Sequence, residues 1–220
     1  MGFETRAAQA PSPKPPSRQG FLKVNAEFVT SAAGADGLPK DGLPEIAMVG
    51  RSNVGKSSLI NALVRKQLAR TSAAPGKTRM DNFYRVAVEG KSPFYLVDLP
   101  GYGYARGGDA ARGEFDALAA AYFGTRATDA RFRGVFVLVD SRHPGLEIDR
   151  GAWNWLERLG VNRHVVATKV DKLTQAERRR HLTELERLYS GPVTPSSADT
   201  GEGLDQLWKT IATLTTTSRQ

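Results

Sequence analysis

The sequence predicts an α/β fold: a mainly parallel sheet of six to seven strands with helices on both faces. Three observations lead there. From Glu45 onward, short apolar runs alternate with helix-length segments, the pattern of strands joined by helical crossovers. Between the apolar Ile46-Ala47-Met48-Val49 and the helical Ser58–Leu63 stands Gly50-Arg51-Ser52-Asn53-Val54-Gly55-Lys56-Ser57. This run fits G-x-x-x-x-G-K-[ST], and in a strand–loop–helix setting that pattern marks a phosphate-binding loop. Two more motifs, Asp98-Leu99-Pro100-Gly101 and Thr168-Lys169-Val170-Asp171, each follow an apolar run and so sit at strand ends.

Residues 1–20 are rich in Pro, Ser and Ala and are predicted to be a disordered tail. Residues 21–220 are predicted to form a single domain, opening with an extra strand over Phe21–Val29, where apolar and polar residues partly alternate. Residues 34–44 carry so many Gly and Pro that they read as a loop. A helix of about ten residues follows the phosphate loop. Strands over Asn82–Glu89 and Pro93–Asp98, separated only by Gly90-Lys91-Ser92, should pair antiparallel. A helix is expected near Ala110–Phe123, a strand over Gly134–Asp140 and a helix near Asp149–Leu159. The strand Arg163–Thr168 precedes a helix opened by Thr174-Gln175-Ala176-Glu177, a capping box. A short strand at Val193–Pro195 and a helix at Leu204–Leu214 complete the pattern.

Composition narrows the class. The chain has 220 residues, 40% of them hydrophobic, and no cysteine. A sizeable core is expected, and disulfides and thiolate metal sites are excluded. No apolar run reaches the roughly 18–20 residues of a membrane span, and no apolar leader is visible. A cytoplasmic monomer without a membrane partner is the expectation. Charge is placed unevenly: residues 46–91 hold nine Lys/Arg against two Asp/Glu, close to the whole net charge of +8. Arg65, Lys66, Arg70, Lys77, Arg79, Arg85 and Lys91 exceed what one triphosphate needs, so a polyanion such as RNA is the expected partner. The plainer alternative is solubility charge on a solvated face.

The motifs specify the ligand. Gly50 and Gly55 let the loop backbone curl its N–H groups around phosphate oxygens, aided by the positive end of the next helix. Lys56 is suited to the outer phosphates and the Ser57 hydroxyl to Mg²⁺. Asp98 is placed to hold Mg²⁺ through water, and the Gly101 N–H to sense the γ-phosphate. The Asp171 carboxylate can accept from N1–H and the 2-amino group of guanine, a pattern adenine does not offer. Lys169 can lay its stem along the base. Ser196-Ser197-Ala198 offers backbone N–H groups for guanine O6.

With those residues the chain resembles the translation-factor class of P-loop GTPases, whose nucleotide-binding unit is the G domain, and within it the EngB (YihA/YsxC) family of bacterial ribosome-biogenesis GTPases. The specific part of the match is Arg70-Thr71-Ser72-Ala73-Ala74-Pro75-Gly76-Lys77-Thr78-Arg79, then Asn82-Phe83-Tyr84, and Asp98–Ala105 with its Gly-Tyr-Gly-Tyr. The resemblance implies a GTP-binding, GTP-hydrolysing switch required for large ribosomal subunit assembly, acting on that subunit or its precursor through rRNA and linked to growth and division. It assigns the switch threonine to Thr78, within Gly76-Lys77-Thr78-Arg79-Met80, as a second Mg²⁺ ligand; by chemistry alone Thr71 competes. The alternative is a GTP-dependent RNA- or ribosome-binding scaffold with negligible turnover. An ATPase or small-molecule kinase is opposed by Thr168–Asp171.

Two departures from the commoner GTPase pattern carry mechanism. Thr168 stands where Asn is usual, and its hydroxyl is expected to tie loops together. Tyr102 follows Gly101 where signalling GTPases place a water-orienting Gln, so a phenol on a loop expected to be mobile predicts slow intrinsic hydrolysis. Asn53 occupies the position at which K⁺-activated relatives place a cation ligand, which makes K⁺ a candidate cofactor beside Mg²⁺ and GTP/GDP. The alternative is that Asn53 simply suits the loop backbone. His143, His164 and His181 lack metal-ligand spacing. Arg178-Arg179-Arg180 reads as a solvated helix face, and Trp153, Trp155 and Trp208 as packing residues.

Overall fold

In chain order the elements are β1 (Val24–Ala32), β2 (Glu45–Gly50), α1 (Lys56–Val64), β3 (Asp81–Val88), β4 (Phe94–Asp98), β5 (Phe132–Asp140), α2 (Glu147–Arg158), β6 (Arg163–Thr168), α3 (Gln175–Leu188), β7 (Val193–Pro195) and α4 (Leu204–Thr216). The computed structural model describes residues 23–33, 37–69, 80–102 and 119–216. Residues 119–126 are also helical.

Apolar runs without alternation become the centre of the sheet. Every residue of β2 and β4 is buried, as strands covered on both faces require. The strand order is β1-β3-β4-β2-β5-β6-β7. β2 pairs in parallel with β4 and β5, and β5–β6 and β6–β7 continue in parallel. Only β3 runs antiparallel, between β1 and β4. Seven strands meet the upper end of the sequence expectation.

Alternation along β2 assigns the two faces. Ile46 and Met48 join Leu59, Ile60 and Leu63 of α1 and Leu207 and Ile211 of α4. Ala47 and Val49 point the other way, towards Tyr122, Phe123 and Leu156. Helices therefore cover both faces. The capping box forms as predicted: the Thr174 side chain accepts from Glu177 N–H while Glu177 reaches back to Thr174 N–H, satisfying two amides that the first helical turn leaves without partners.

Boundaries differ where long-range pairing decides them. Of the expected extra strand, Phe21 and Leu22 lie outside the described residues; β1 runs past the expected end at Val29 to Ala32, because its register with β3 extends from Val24↔Val88 to Ala32↔Asp81 across a bulge at Val29. The helix expected to end near Phe123 continues to residue 126. Its last residue is held in the interior: the Arg126 guanidinium is 2.9 Å from Glu45 at the start of β2 and donates to the Pro39 carbonyl. Most of that helix's expected span lies outside the described residues. Among the described residues, no helix is long and apolar enough to cross a membrane.

Candidate nucleotide site

Residues 50–57 connect the buried end of β2 to the first turn of α1. Gly55 has φ +105°, a region that L side chains rarely adopt, and it directs the chain into the helix. A side chain on Gly50 would begin 2.8 Å from Val54 Cγ1, so that position is closed to anything larger. Asn53 is exposed with φ +63°, a conformation Asn tolerates better than most residues, and its carbonyl accepts from Lys169 Nζ at 2.6 Å. Asn53 is thus held through its backbone carbonyl while the residue as a whole is exposed.

Lys56 and Asp98 form a buried ion pair across the mouth of the loop. Leu99 and Pro100 are buried, and the Leu99 N–H donates to Met48 O. Gly101 lies against Ser52, whose N and Oγ sit 3.1 Å from where a Cβ would project. Asp81, at the start of β3, is buried beside this pair, and its Oδ1 has no hydrogen-bond partner. Burial, then the Asp98 carboxylate, pushes the Asp81 carboxyl from 3.8 up to about 7, with Lys56 acting in the opposite direction. A hydroxyl (Ser57), a carboxylate (Asp98) and an unsatisfied buried carboxylate oxygen make a hard-oxygen set suited to Mg²⁺. Among the described residues there is no group of three or more His, Cys, Asp or Glu that could hold a metal ion. Of the other expected contacts, Gly76, Lys77, Thr78 and Arg79 lie outside the described residues. Met80 is 40% exposed just before β3.

The cleft beside Gly55 is lined by Leu59, Thr168, Lys169, Asp171, Ser196 and Ala198, among others. The Thr168 hydroxyl donates to the Val54 carbonyl at 2.7 Å, so it ties the base-side loop to the phosphate loop. Lys169, in the left-handed region at φ +61°, also reaches Asp140 at 3.0 Å. A hydrogen bond from Ser197, then one from Lys172, holds the Asp171 carboxyl below its ordinary value despite partial burial, so it stays ionised at neutral pH. The expected trio of amides is corrected here. Ser196 N–H donates to Ala167 O at 2.7 Å and Ser197 N–H to Glu202 O at 3.0 Å. Of the three, Ala198 is the one whose N–H has no backbone partner among the described residues, and the residue lines the cleft.

Tyr102 also differs from expectation. It is 3% exposed, and its hydroxyl donates to Asp149 Oδ1 at 3.0 Å, so the phenol is enclosed rather than mobile. The basic excess of residues 46–91 is likewise smaller at the surface than in the sequence. Lys56 pairs with Asp98, Arg51 lies near Asp140 and Asp149, and Arg85 pairs with Glu27. Arg178 is engaged by Glu202 rather than solvated. Trp208 packs in the core as expected.

A family model described as 50S ribosome-binding GTPase matches residues 45–169. The probable GTP-binding protein EngB of Oceanobacillus iheyensis is 41% identical over 197 residues, covering 87% of this chain and 97% of that protein. Its counterpart in Solibacter usitatus is 44% identical over 191 residues, covering 86% and 96%. The chain belongs to the EngB family of P-loop GTPases. Among solved structures, a probable GTP-binding protein EngB superposes with a TM-score of 0.61 at 22% identity, covering 77% of this chain and 97% of that one. Era, crystallised with MgGDPNP and nucleotides 1506–1542 of 16S ribosomal RNA, gives 0.64 at 22% identity, covering 80% and 58%. Both share the fold. For an EngB chain, Asp81 and Asp149 are the functional candidates that motif reading missed. The available signal for Asp81 was its being one of two acids in a strongly basic window; Asp149 gave none.

Two outcomes follow from this geometry. A carboxyl whose folded pKa is raised contributes stability that is fully present below its unfolded value near 4 and is lost as pH rises towards 7. Without nucleotide and Mg²⁺, Asp81→Asn should therefore be more stable than the unmodified chain above pH 7, by about 2–4 kcal/mol. Urea unfolding should show that gap closing towards pH 4; a gap independent of pH would contradict the assignment. Separately, Asp171→Asn should weaken GTP and GDP binding on the order of 10²-fold and improve binding of xanthosine nucleotides, measured by fluorescent-nucleotide titration. Equal binding of ATP and GTP by the unmodified chain would contradict guanine recognition.

Proposed function

We propose that this EngB-family GTPase is a GTP-controlled switch in assembly of the large ribosomal subunit, binding that subunit or its precursor through rRNA. In this role it is a cytoplasmic monomer whose activity supports growth and division. The observation that carries the reading is the pairing of two sites on one rigid edge. The Lys56–Asp98 charges are set for phosphates and cation, and Asp171 with Ala198 N–H is set for the edge of guanine. The family description as a 50S ribosome-binding GTPase supports the partner.

In this scheme the residues 50–57 backbone N–H groups and Lys56 bind the phosphates, and Ser57, Asp98 and Thr78 hold Mg²⁺. Bound there, Mg²⁺ neutralises charge on the β- and γ-phosphate oxygens. Gly101 N–H reports the γ-phosphate. GTP orders the residues around Thr78 and Asp98–Ala105, and hydrolysis releases them. Because the Tyr102 hydroxyl is engaged by Asp149, it does not orient the attacking water, and the intrinsic rate is slow. The same feature favours the second reading, a GTP-dependent scaffold with negligible turnover. Phosphate release with and without ribosomal particles separates the two.

Arg65 and Lys66, just after α1, and Lys91, in the β3–β4 turn, are exposed. Sedimentation with large ribosomal subunits should show association in a non-hydrolysable GTP analogue and release in GDP. Because phosphate contacts release counterions, association should fall steeply with salt. Reversing the charges of Arg65 and Lys66 should weaken it while leaving nucleotide affinity intact. Association that is indifferent to nucleotide, salt and these reversals would refute the proposal.

We also propose that K⁺ on the Asn53 side-chain oxygen supplies positive charge to the transition state. Hydrolysis should then be faster in KCl than in NaCl at equal ionic strength. Loss of one electrostatic stabiliser costs about 10²–10³ in rate, so even part of that is measurable. A K⁺ stimulation that survives Asn53→Ala would remove this residue from the role.

A further inference from the structure

Beyond Gly101, the chain does not simply leave the site. Tyr102 forms an extra parallel bridge with Arg51 of the phosphate loop: its N–H donates to Gly50 O at 3.3 Å, and its carbonyl accepts from Ser52 N–H at 2.9 Å. Its hydroxyl meets Asp149 in the first turn of α2. Burial, then the neighbouring Asp149 carboxylate, pushes the phenol well above its ordinary value, so at neutral pH it keeps its proton and is the donor.

Asp149 faces a second group. The Arg51 guanidinium lies 3.7 Å from Asp149 Oδ2 and 3.8 Å from Asp140 Oδ2. Asp140, at the end of β5, accepts from Lys169 at 3.0 Å and from Arg142 at 2.8 Å. Burial opposes the charge on Asp140, but hydrogen bonds from Arg142 and Lys169 overcome it and hold the carboxyl below its usual range. Lys169 in turn donates to the Asn53 carbonyl. One continuous set of contacts therefore runs from the residue after the γ-phosphate sensor, through Asp149, Arg51 and Asp140, to the lysine beside the guanine cleft. Asp140 and Asp149 are both 1% exposed. Buried carboxylates hold their charge only when partners are in place, so displacing one member disturbs the next.

We propose that Asp149 is a positioning residue that clamps Tyr102, and through it Gly101, onto the phosphate loop, and that Arg51 and Asp140 couple this clamp to Lys169 on the guanine side. The clamp restricts one of the two segments that, in the GTPase reading, distinguish GTP from GDP. Removing it costs ordering of Gly101 when a γ-phosphate is bound and costs little when none is present. The ratio of GTP to GDP affinity is thus the property under its control. This inference rests on the GTPase reading above.

The test measures affinity for a non-hydrolysable GTP analogue and for GDP on the full chain, alongside thermal unfolding. Tyr102→Phe deletes only the hydroxyl and should lower analogue affinity about three- to ten-fold, the worth of one hydrogen bond, with GDP affinity moving less than two-fold. Asp149→Leu should reproduce this ratio change, and Asp149→Asn, which keeps an acceptor for the phenol, should restore part of it. In an Arg51→Met background, Tyr102→Phe should produce a smaller ratio change than it does alone, because members of one network are not additive. Parallel loss of both affinities in step with the melting temperature would reduce Tyr102–Asp149 to a structural contact. An unchanged or increased ratio, or full additivity with Arg51→Met, would overturn the coupling while leaving guanine binding intact. Failure of the unmodified chain to bind either nucleotide would overturn the GTPase reading as well.

Discussion

Where α1 begins and β4 ends, an ammonium and a carboxylate face each other with almost no exposure to water: Lys56 is 8% and Asp98 3% accessible. Neither charge could be buried alone, since leaving one partner of such a pair unmatched costs about 3–5 kcal/mol. Everything that positions the site serves to keep this pair together. β4 lies directly beside β2 in parallel register, Met48 opposite Asp98, so the carboxylate arrives at the same end of the sheet as the phosphate loop. Gly50 leaves room for the close approach of Val54, and Gly55 supplies the left-handed backbone that turns the chain into α1 at Lys56. In the proposed function Lys56 and Asp98 take the phosphates and the cation, so ligand binding would exchange one buried ion pair for two.

The same electrostatic constraint explains why Asp81 and Asp149 are informative. Asp81, a second carboxylate beside the single cation Lys56, has one cation too few, and it responds by favouring its proton. Burial also pushes the Asp149 carboxyl upward, but the hydrogen bond from the Tyr102 hydroxyl and the Arg51 guanidinium 3.7 Å away act against it. Charge that a linear count assigns to a basic window is thus spent inside the molecule, because the sheet brings acids from β4, β5 and α2 against it. Among the described residues of that window, Arg65, Lys66 and Lys91 are the exposed basic ones.

Much of this was legible in the sequence, and the legible part shares one property: it is local. The phosphate loop, the β3–β4 pair and the Thr174–Glu177 capping box each depend on residues a few positions apart, and each formed. Thr168 as a loop tie was also readable, since its hydroxyl reaches Val54 O from a motif of known placement. The rest depends on contacts that no periodicity reveals. Tyr102 meets Asp149 across 47 positions, which turned an expected mobile phenol into a buried one. The Ser196 and Ser197 amides are taken by Ala167 and Glu202, so they are not available for the O6 contact expected of them. The β1 boundary shifted because β3, not local alternation, sets where that strand is paired.

The account stands on Lys56 and Asp98 separating to receive phosphate and cation, with guanine read at Asp171. A crystal structure of the chain with Mg²⁺ and a non-hydrolysable GTP analogue tests this most directly. It should show Lys56 Nζ on phosphate oxygens, no longer on Asp98, with the guanine N1 and 2-amino groups on the Asp171 carboxylate and O6 at the Ala198 N–H. A nucleotide bound while Lys56 remains paired with Asp98, or with its base outside the Asp171 cleft, would contradict it.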